Sequence, residues 1–167
     1  METWEAITSR RNVRSYKDEP VPKEQLDRIL EAGRRAPSSQ NWQPWDFVLV
    51  TQRRRLEELA RVWGGAGHVA RSAATIALVT DAATQERARF DLGQATMAMM
   101  LAAADLGIGS GHASVSDQEL ARELLGFPED KVCAFLIAFG VPADRPLRPV
   151  QRPDRKPFDE VVHRERW

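Results

Sequence analysis

The stretch APSSQNWQPW, residues 36–45, combines two prolines, two serines and two tryptophans with several amide side chains. Pro37 and Pro44 fix their own φ angles and favour extended geometry at the preceding residues, Ala36 and Gln43, so an irregular segment is predicted rather than a helix. Irregular backbone leaves amide groups free, and the polar side chains and flat indole rings beside them suit a planar polar ligand. A polar connection anchored by a tryptophan is the alternative interpretation.

Regular elements are predicted on both sides of this stretch. Upstream, a short helix covers residues 2–9, and a second helix begins at Pro22, carries apolar residues at three- and four-residue spacing, and ends before Pro37. Downstream, apolar runs predict buried strands at residues 46–51, 74–80 and 132–139, and the glycine-rich residues 107–114 are expected to be partly extended. Further helices are predicted at 53–62, 84–106 and 116–125, the last with Ser116 as N-cap because Ser116 and Glu119 have capping-box spacing.

The C-terminal segment has a different character. Five prolines between residues 142 and 157 disfavour regular helix and predict an extended arm over residues 142–167, whose last nine residues, DEVVHRERW, are expected to form a short strand or turn. The arm lies at the end of the chain, so we expect it to embrace a neighbouring subunit rather than to join two domains. The whole chain, residues 1–167, is predicted to be a single domain.

Composition excludes several classes of protein. Hydrophobic residues make up 43 % and charged residues 29 % of the chain, as in soluble globular proteins. The formal net charge of zero argues against non-specific binding to nucleic acid. The N-terminus is unlike a signal peptide, and no apolar run approaches the roughly 20 residues that span a bilayer. We therefore predict a cytoplasmic protein with neither a nucleic-acid nor a membrane partner.

No motif of the familiar side-chain catalysts is present. The three histidines stand alone in sequence, without carboxylates or cysteine at metal-ligand spacing, so no metal site is predicted. The single cysteine, Cys133, lies in an apolar run and is interpreted as a buried hydrophobe rather than a nucleophile. Arginines cluster at positions 10, 11 and 14 and again from 145 to 155, where they either bind a phosphate monoester or lie solvated at the surface. If the protein is an enzyme, its reactive group is expected to come from a cofactor.

Four segments taken together resemble the FMN-dependent nitroreductase family. They follow one another in the order expected for that family: SRRNVRSY at 9–16, APSSQNWQPW at 36–45, DLGQATMAMMLAAADLGIGS at 91–110 and RKPFDEVVH at 155–163. The resemblance implies an α+β fold with a central, mostly antiparallel sheet flanked by helices. It also implies a homodimer that shares two FMN sites at its interface, with a domain-swapped arm that adds an edge strand to the partner subunit.

The resemblance also assigns roles to the arginines. Arg10 and Arg11 would contact the phosphate and ribityl side of FMN, together with Asn12, which stands where serine is commoner in the family. Arg14 would lie by the N1 and C2 carbonyl edge of the ring, where a cation stabilises the negative charge of the reduced flavin. Arg155 matches the C-terminal phosphate-binding arginine, and Pro153 replaces a second phosphate-binding lysine of some members.

Two further segments match flavin-binding segments of the family. One is the loop that reaches the flavin bound mainly by the other subunit, and its matching residues here are Pro37, Ser38, Ser39, Gln40 and Asn41. The other is the stretch whose backbone amide faces flavin N5, matched here by Ser110, Gly111, His112, Ala113 and Ser114. No catalytic side chain is predicted, because flavin N5 carries the chemistry.

The function that follows is an FMN-dependent oxidoreductase. Hydride would pass from NADH or NADPH through flavin N5 to a nitroaromatic, a quinone or another small electrophilic acceptor. The connection between residues 80 and 84 is short, so an open substrate pocket is expected. Three alternatives stay open: a non-catalytic flavin-binding or carrier protein, a reductive dehalogenase, and a flavin-fragmenting enzyme. A deazaflavin is an alternative reductant.

Overall fold

The computed structural model describes residues 2–167, which form four strands and six α-helices around one sheet. The helices are α1 (Thr3–Ser9), α2 (Lys23–Arg34), α3 (Arg53–Leu59), α4 (Gln85–Asp105), α5 (Gln118–Leu125) and α6 (Phe158–Val161). The strands are β1 (Asp46–Val50), β2 (Ala74–Asp81), β3 (Gly109–Ser114) and β4 (Lys131–Gly140). All four predicted strand segments are confirmed, and so are the predicted helices, the last residues of 53–62 being a 3₁₀ turn at Ala60–Val62.

The sheet has the order β1-β2-β4-β3, and every neighbouring pair is antiparallel. In the middle of the sheet Ile76 lies opposite Leu49 on one side and Ile137 on the other. The α+β fold and the antiparallel sheet expected from the sequence are therefore confirmed. β1 and β3 are the edge strands.

Helices cover both faces of this sheet. One apolar cluster joins Leu56, Leu59 and Leu136, on the face covered by α3 and α5. The other joins Ile29 of α2 and Leu92 of α4 to the opposite face of the sheet. Residues 74–80 of β2 are almost completely buried, which explains why this strand is apolar without alternation.

Helices α2 and α4 lie very close together. A Cβ atom added at Gly33 of α2 would stand 2.8 Å from Cγ of Met99 of α4, so a larger residue there would require the Met99 side chain to shift. Small residues are frequent along α4, which permits this close packing. On the other side of α4, Phe90 is 76 % exposed.

The two ends of the chain meet beside β3. Val13 N donates to Ser110 O at 2.8 Å, which lays the segment after α1 along the outer edge of β3. The first part of the arm is bound to this N-terminal segment, since Ala143 N donates to Ser15 O at 3.0 Å and Val150 N donates to Thr8 O at 3.1 Å. Residues 151–167 are exposed along their whole length.

Three local predictions are wrong. Gln43 precedes Pro44 but has φ of 53° instead of extended geometry, because its N–H bends back to Ser38 Oγ at 2.9 Å. The N-cap of α5 is Asp117, whose carboxylate accepts from Leu120 N at 2.9 Å, whereas the Ser116 hydroxyl donates to Val62 O. The last residues hold the short helix α6, since Pro157 presets the backbone for its first turn.

Two further observations concern individual expectations. Cys133 is completely buried, and this burial raises the pKa of its thiol to about 12, so the interpretation as a buried hydrophobe is confirmed. Among the helices of residues 2–167, none is both long enough and apolar enough to cross a membrane.

Candidate functional site

Two neighbouring clefts flank the segment that follows α1. The first, of about 460 Å³, lies between this segment, α4 and the β3–β4 edge of the sheet. The second, of about 410 Å³, lies between the same segment and the arm. Arg10 and Asn12 line both clefts, so the two form one continuous candidate site. Clefts of this size accept a cofactor or a small organic ligand.

Strand β3 contributes alternate side chains to the first cleft. His112 and Ser114 line it, as the two-residue period of a strand dictates, and Ser110, on the same side of β3, is only 2 % exposed. Gly111 and Ala113 point to the opposite face and are buried. A Cβ atom at Gly111 would stand 2.3 Å from Val13 O, so glycine is required for the N-terminal segment to lie against β3.

Arg10 is the central cation of the site. Its Nη1 lies 3.4 Å from Asn12 Oδ1 and 3.8 Å from Met100 Sδ, and within residues 2–167 no carboxylate forms an ion pair with it. Partial burial lowers the pKa of its guanidinium, and the positive charge of Arg155 lowers it further. Two cations that repel each other across a cleft favour binding of an anion between them.

Arg11 differs from Arg10 because it is already paired. Its Nη2 donates to Asp144 Oδ1 at 2.8 Å and to Arg145 O at 2.7 Å. This hydrogen bond holds the pKa of the Asp144 carboxyl at about 2. Arg11 therefore joins the arm to the N-terminal segment and also lines the second cleft, together with Arg145 and Arg155.

The remaining predicted residues lie outside both clefts. Arg14 is exposed. Burial raises the pKa of the nearby Tyr16 hydroxyl, and the Arg14 charge opposes this rise in part. Burial lowers the pKa of His68, and the same charge contributes to this lowering. The predicted loop, residues 37–41, is bound to α4 instead, through Ser39 N and Pro37 O. The structure thus brings Arg10, Arg11, Asn12, His112, Ser114 and Arg155 together, and the roles of Arg14 and the loop stay predictions.

His68 lies behind β3, away from the cleft. It is 8 % exposed, and its Nε2 is 3.4 Å from Gly111 O. Burial is the main cause that lowers the pKa of its imidazole, so the ring is neutral at physiological pH. A neutral ring there supports the backbone of β3 and contributes no charge to the site.

Comparison with known proteins identifies the family. The sequence model of the Nitroreductase family matches residues 7–65 and 57–141, which together make up most of the chain. The chain belongs to the Nitroreductase family. The resemblance that its four segments predict is therefore confirmed.

Individual relatives agree with this assignment. A nitroreductase-family relative from Methanothermobacter thermautotrophicus, provisionally named an NADH dehydrogenase/NAD(P)H nitroreductase, is 33 % identical over 175 residues, covering 100 % of this chain and 88 % of that protein. The FMN reductase [NAD(P)H] of Bacillus subtilis is 29 % identical over 189 residues, covering 99 % and 74 %. An FMN-dependent nitroreductase structure from Clostridium difficile superposes with a TM-score of 0.86 at 26 % identity, covering 97 % of this chain and 98 % of that one.

Several residues of this nitroreductase-family site are absent from the sequence prediction. They line the first cleft from α4 and β4 and are mostly apolar or small: Gly93, Thr96, Met97, Met100, Ala134 and Phe135. Met97 and Met100 stand at the three-residue spacing of one helix face, which is a usable signal. Apolar residues of this kind look like core in the sequence, however, and only the position of the N-terminal segment turns their face into a cleft wall.

Proposed function

We propose that the protein is an FMN-dependent oxidoreductase that uses NADH or NADPH to reduce a small electrophilic acceptor such as a nitroaromatic or a quinone. The observation that carries the proposal is the pair of guanidinium groups of Arg10 and Arg155 on one cleft, with no carboxylate in residues 2–167 forming an ion pair with Arg10. Such a pair suits a phosphate monoester, the anionic group of FMN. Family membership and the names of the relatives support the same cofactor and reductant.

The two clefts differ in the part of FMN that they suit. The second cleft suits the phosphate, because its arginines, Arg10, Arg11, Arg145 and Arg155, outnumber the one carboxylate that lines it, Asp154. Asn12, which lines both clefts, can hydrogen-bond the ribityl chain between them. The first cleft, walled by Met97, Met100 and Phe135, suits the flat ring system, and its apolar wall would exclude water from one side of the ring.

FMN, when bound, would supply the hydride-transfer chemistry between the nicotinamide and the acceptor. The role of the protein itself is to bind FMN and to orient it. The backbone of residues 110–114 is fixed between β4 and the N-terminal segment, so its amides are preorganised for the ring. Arg14 is assigned the N1 and C2 carbonyl edge.

We propose in addition that the active form is a homodimer with shared sites. Large apolar side chains are exposed on three elements that face away from the core: Trp4 and Ile7 of α1, Phe90 and Met97 of α4, and Phe158 and Val161 of α6. A second subunit would cover these side chains. In the dimer the arm, residues 142–167, embraces the second subunit, and the loop at residues 37–41 reaches the flavin held mainly by that subunit.

The first test is of colour and redox response. Purified protein is expected to be yellow, to bleach anaerobically with NADH or NADPH, and to recover its absorbance when a quinone or nitroaromatic is added. Protein that is yellow but does not bleach would indicate either a flavin carrier without enzymatic activity or an enzyme that uses a deazaflavin as reductant. Colourless protein that gains no thermal stability from added FMN would overturn the proposal.

The second test is of the anion site. Arg10→Ala removes charge-assisted hydrogen bonds worth about 1.5–3 kcal/mol, so the Kd for FMN is expected to rise at least tenfold by fluorescence titration. Arg55→Ala, an exposed arginine of α3, is the matched control and should leave the Kd unchanged. Equal Kd values for the two variants would show that Arg10 does not contribute to FMN binding.

A further inference from the structure

Asp91 is a buried carboxylate in the middle of α4. It is 2 % exposed, and both of its oxygens accept a hydrogen bond from Ser39 N, at 3.1 and 3.2 Å. Gln94, one turn later on the same helix, donates from Nε2 to Asp91 Oδ1 and to Pro37 O, each at 3.3 Å. The two side chains thus hold the loop at residues 37–41 at two backbone groups, the Ser39 amide and the Pro37 carbonyl.

A carboxylate in this position is unfavourable for a helix that serves only as core. Within residues 2–167 no lysine, arginine or histidine forms an ion pair with Asp91, and its partners are one backbone amide and one side-chain amide. Burying a charge with neutral partners alone costs free energy that such hydrogen bonds offset only in part. The position next to the loop is what distinguishes Asp91 from its apolar neighbours on the buried face, Ala88 and Ala95.

The conformation of the loop at residues 37–41 has to be stabilised by contacts with the rest of the protein. Gln40, Asn41 and Gln43 have φ of 52°, 57° and 53°, a left-handed region that is unfavourable for residues other than glycine. Its internal hydrogen bonds, from Asn41 N to Ser38 O and from Trp42 N to Ser39 O, close the turn but do not connect it to the rest of the protein. Trp42, directly after the loop, packs on the core, and the hydrogen bonds to Asp91 and Gln94 connect the backbone of the loop itself to α4.

The same helix also lines the first cleft. Gly93, Thr96, Met97 and Met100 of α4 border the cleft that contains Arg10, while Asp91 and Gln94 on a neighbouring face hold the loop. One rigid helix therefore fixes the distance between the chain's own cleft and the loop. If the loop serves the second subunit's cofactor, α4 sets the relative position of both halves of the shared sites.

We propose that Asp91, supported by Gln94, is a positioning residue that holds the loop at residues 37–41 in the conformation that contacts FMN in the cleft of the second subunit. The inference rests on the proposed function. Asp91 does not touch the cofactor in this assignment, and acts through the backbone of Ser39.

The test compares Asp91→Ala, Asp91→Asn and the control Glu86→Gln, an exposed carboxylate near the start of α4. In protein without FMN, Asp91→Ala is expected to abolish protection of the Ser39 amide against hydrogen exchange, while circular dichroism and dimer mass stay unchanged. The Kd for FMN should rise tenfold or more. Asp91→Asn keeps one oxygen acceptor and should recover part of the affinity, and it replaces the alanine variant if that variant fails to fold.

Mixed dimers decide which cofactor the loop serves. One chain carries Asp91→Ala and the other carries Arg10→Ala with Arg11→Ala, and the mixed species is isolated through two different affinity tags. If the loop acts across the interface, one site has an intact cleft and an intact loop, so one FMN binds per dimer with wild-type affinity. If the loop serves its own chain, each site has one defect and no tight FMN remains, which overturns the proposal.

Failure of the proposed function gives a different result. In that case wild-type protein binds no FMN, and the proposed role of Asp91 in FMN binding is overturned together with the proposed function. Hydrogen exchange at Ser39 still reports whether Asp91 holds the loop. Wild-type protein that binds FMN, together with an Asp91→Ala variant of equal affinity, would overturn the role of Asp91 alone.

Discussion

Strand β2 and the last part of the arm both carry apolar residues, but these residues differ in burial. From residue 74 to residue 80 every side chain of β2 is buried, with helices on both faces of the sheet. In the arm every residue from 151 onward is exposed, including Phe158 at 65 % and Trp167 at 99 %. Both regions carry hydrophobic side chains, but only those of the strand are removed from water by their own chain.

This difference distinguishes the residues that stabilise the folded subunit from the residues that border its candidate site. The sheet and its helices bury two apolar clusters within a single chain. Most of the exposed large apolar side chains lie on α1, α4 and the arm, which are also the elements that border the candidate site. The candidate site therefore lies where the chain leaves apolar surface uncovered, and such a surface is typical of one that binds a partner.

The largest expected effect is on the sheet. Ile76→Ala in β2 removes a completely buried side chain and should lower the free energy of unfolding by about 2–5 kcal/mol, measured by urea denaturation. Val161→Ala in α6, where the side chain is 55 % exposed, should lower it by about 1 kcal/mol or less. Similar losses for the two variants would show that the arm belongs to the subunit core.

An intermediate effect is expected on assembly. Phe158→Ser removes an apolar side chain that the proposed dimer would bury, a contribution of about 1.5–3 kcal/mol, so the dimer dissociation constant should rise at least tenfold. Sedimentation equilibrium measures this constant, and the dependence of the melting temperature on protein concentration should weaken in parallel. An unchanged dissociation constant would place Phe158 outside the interface.

The smallest effect concerns the attachment of the arm to its own subunit. Arg11 holds the Asp144 pKa at about 2, below its ordinary value of about 3.9, so the pair stabilises the folded arm fully above about pH 4. This contribution is lost as the pH falls through the folded-state pKa. Pepsin should therefore cut residues 142–150 relatively faster at pH 2 than at pH 4 in the wild-type protein.

Asp144→Asn is the control, because it lacks the charged pair at both pH values. Its ratio of cleavage rates should reflect only the pH dependence of pepsin. A wild-type ratio equal to that of the variant would show that the pair with Arg11 does not hold the arm.

Much of the fold follows from the sequence because local pattern decides it. Apolar runs specify β1, β2 and β4, and proline positions delimit α2. The strand order does not follow, since it depends on pairs distant in sequence such as Ala74 with Phe139. Local exceptions also depend on distant partners: the Ser116 hydroxyl binds Val62 O, so Asp117 caps α5 instead.

The site was predictable to a smaller degree. Family resemblance supplies Arg10, Asn12 and Arg155, which composition alone leaves open as surface arginines. Asp91 has a signal of its own, a carboxylate at helical spacing from the buried residues Ala88 and Ala95. Its function needs the Ser39 amide, 52 residues away in sequence, and no periodicity reveals such a partner.

The meeting of the two chain ends fixes when the second cleft can form during synthesis. Arg11 and Asp144 are 133 residues apart, so at typical elongation rates the arginine waits on the order of ten seconds for its partner. Arg145 and Arg155 are made later still, after the whole sheet. The second cleft is consequently completed only after the whole sheet, and a nascent chain that has not yet passed residue 142 lacks one wall of it.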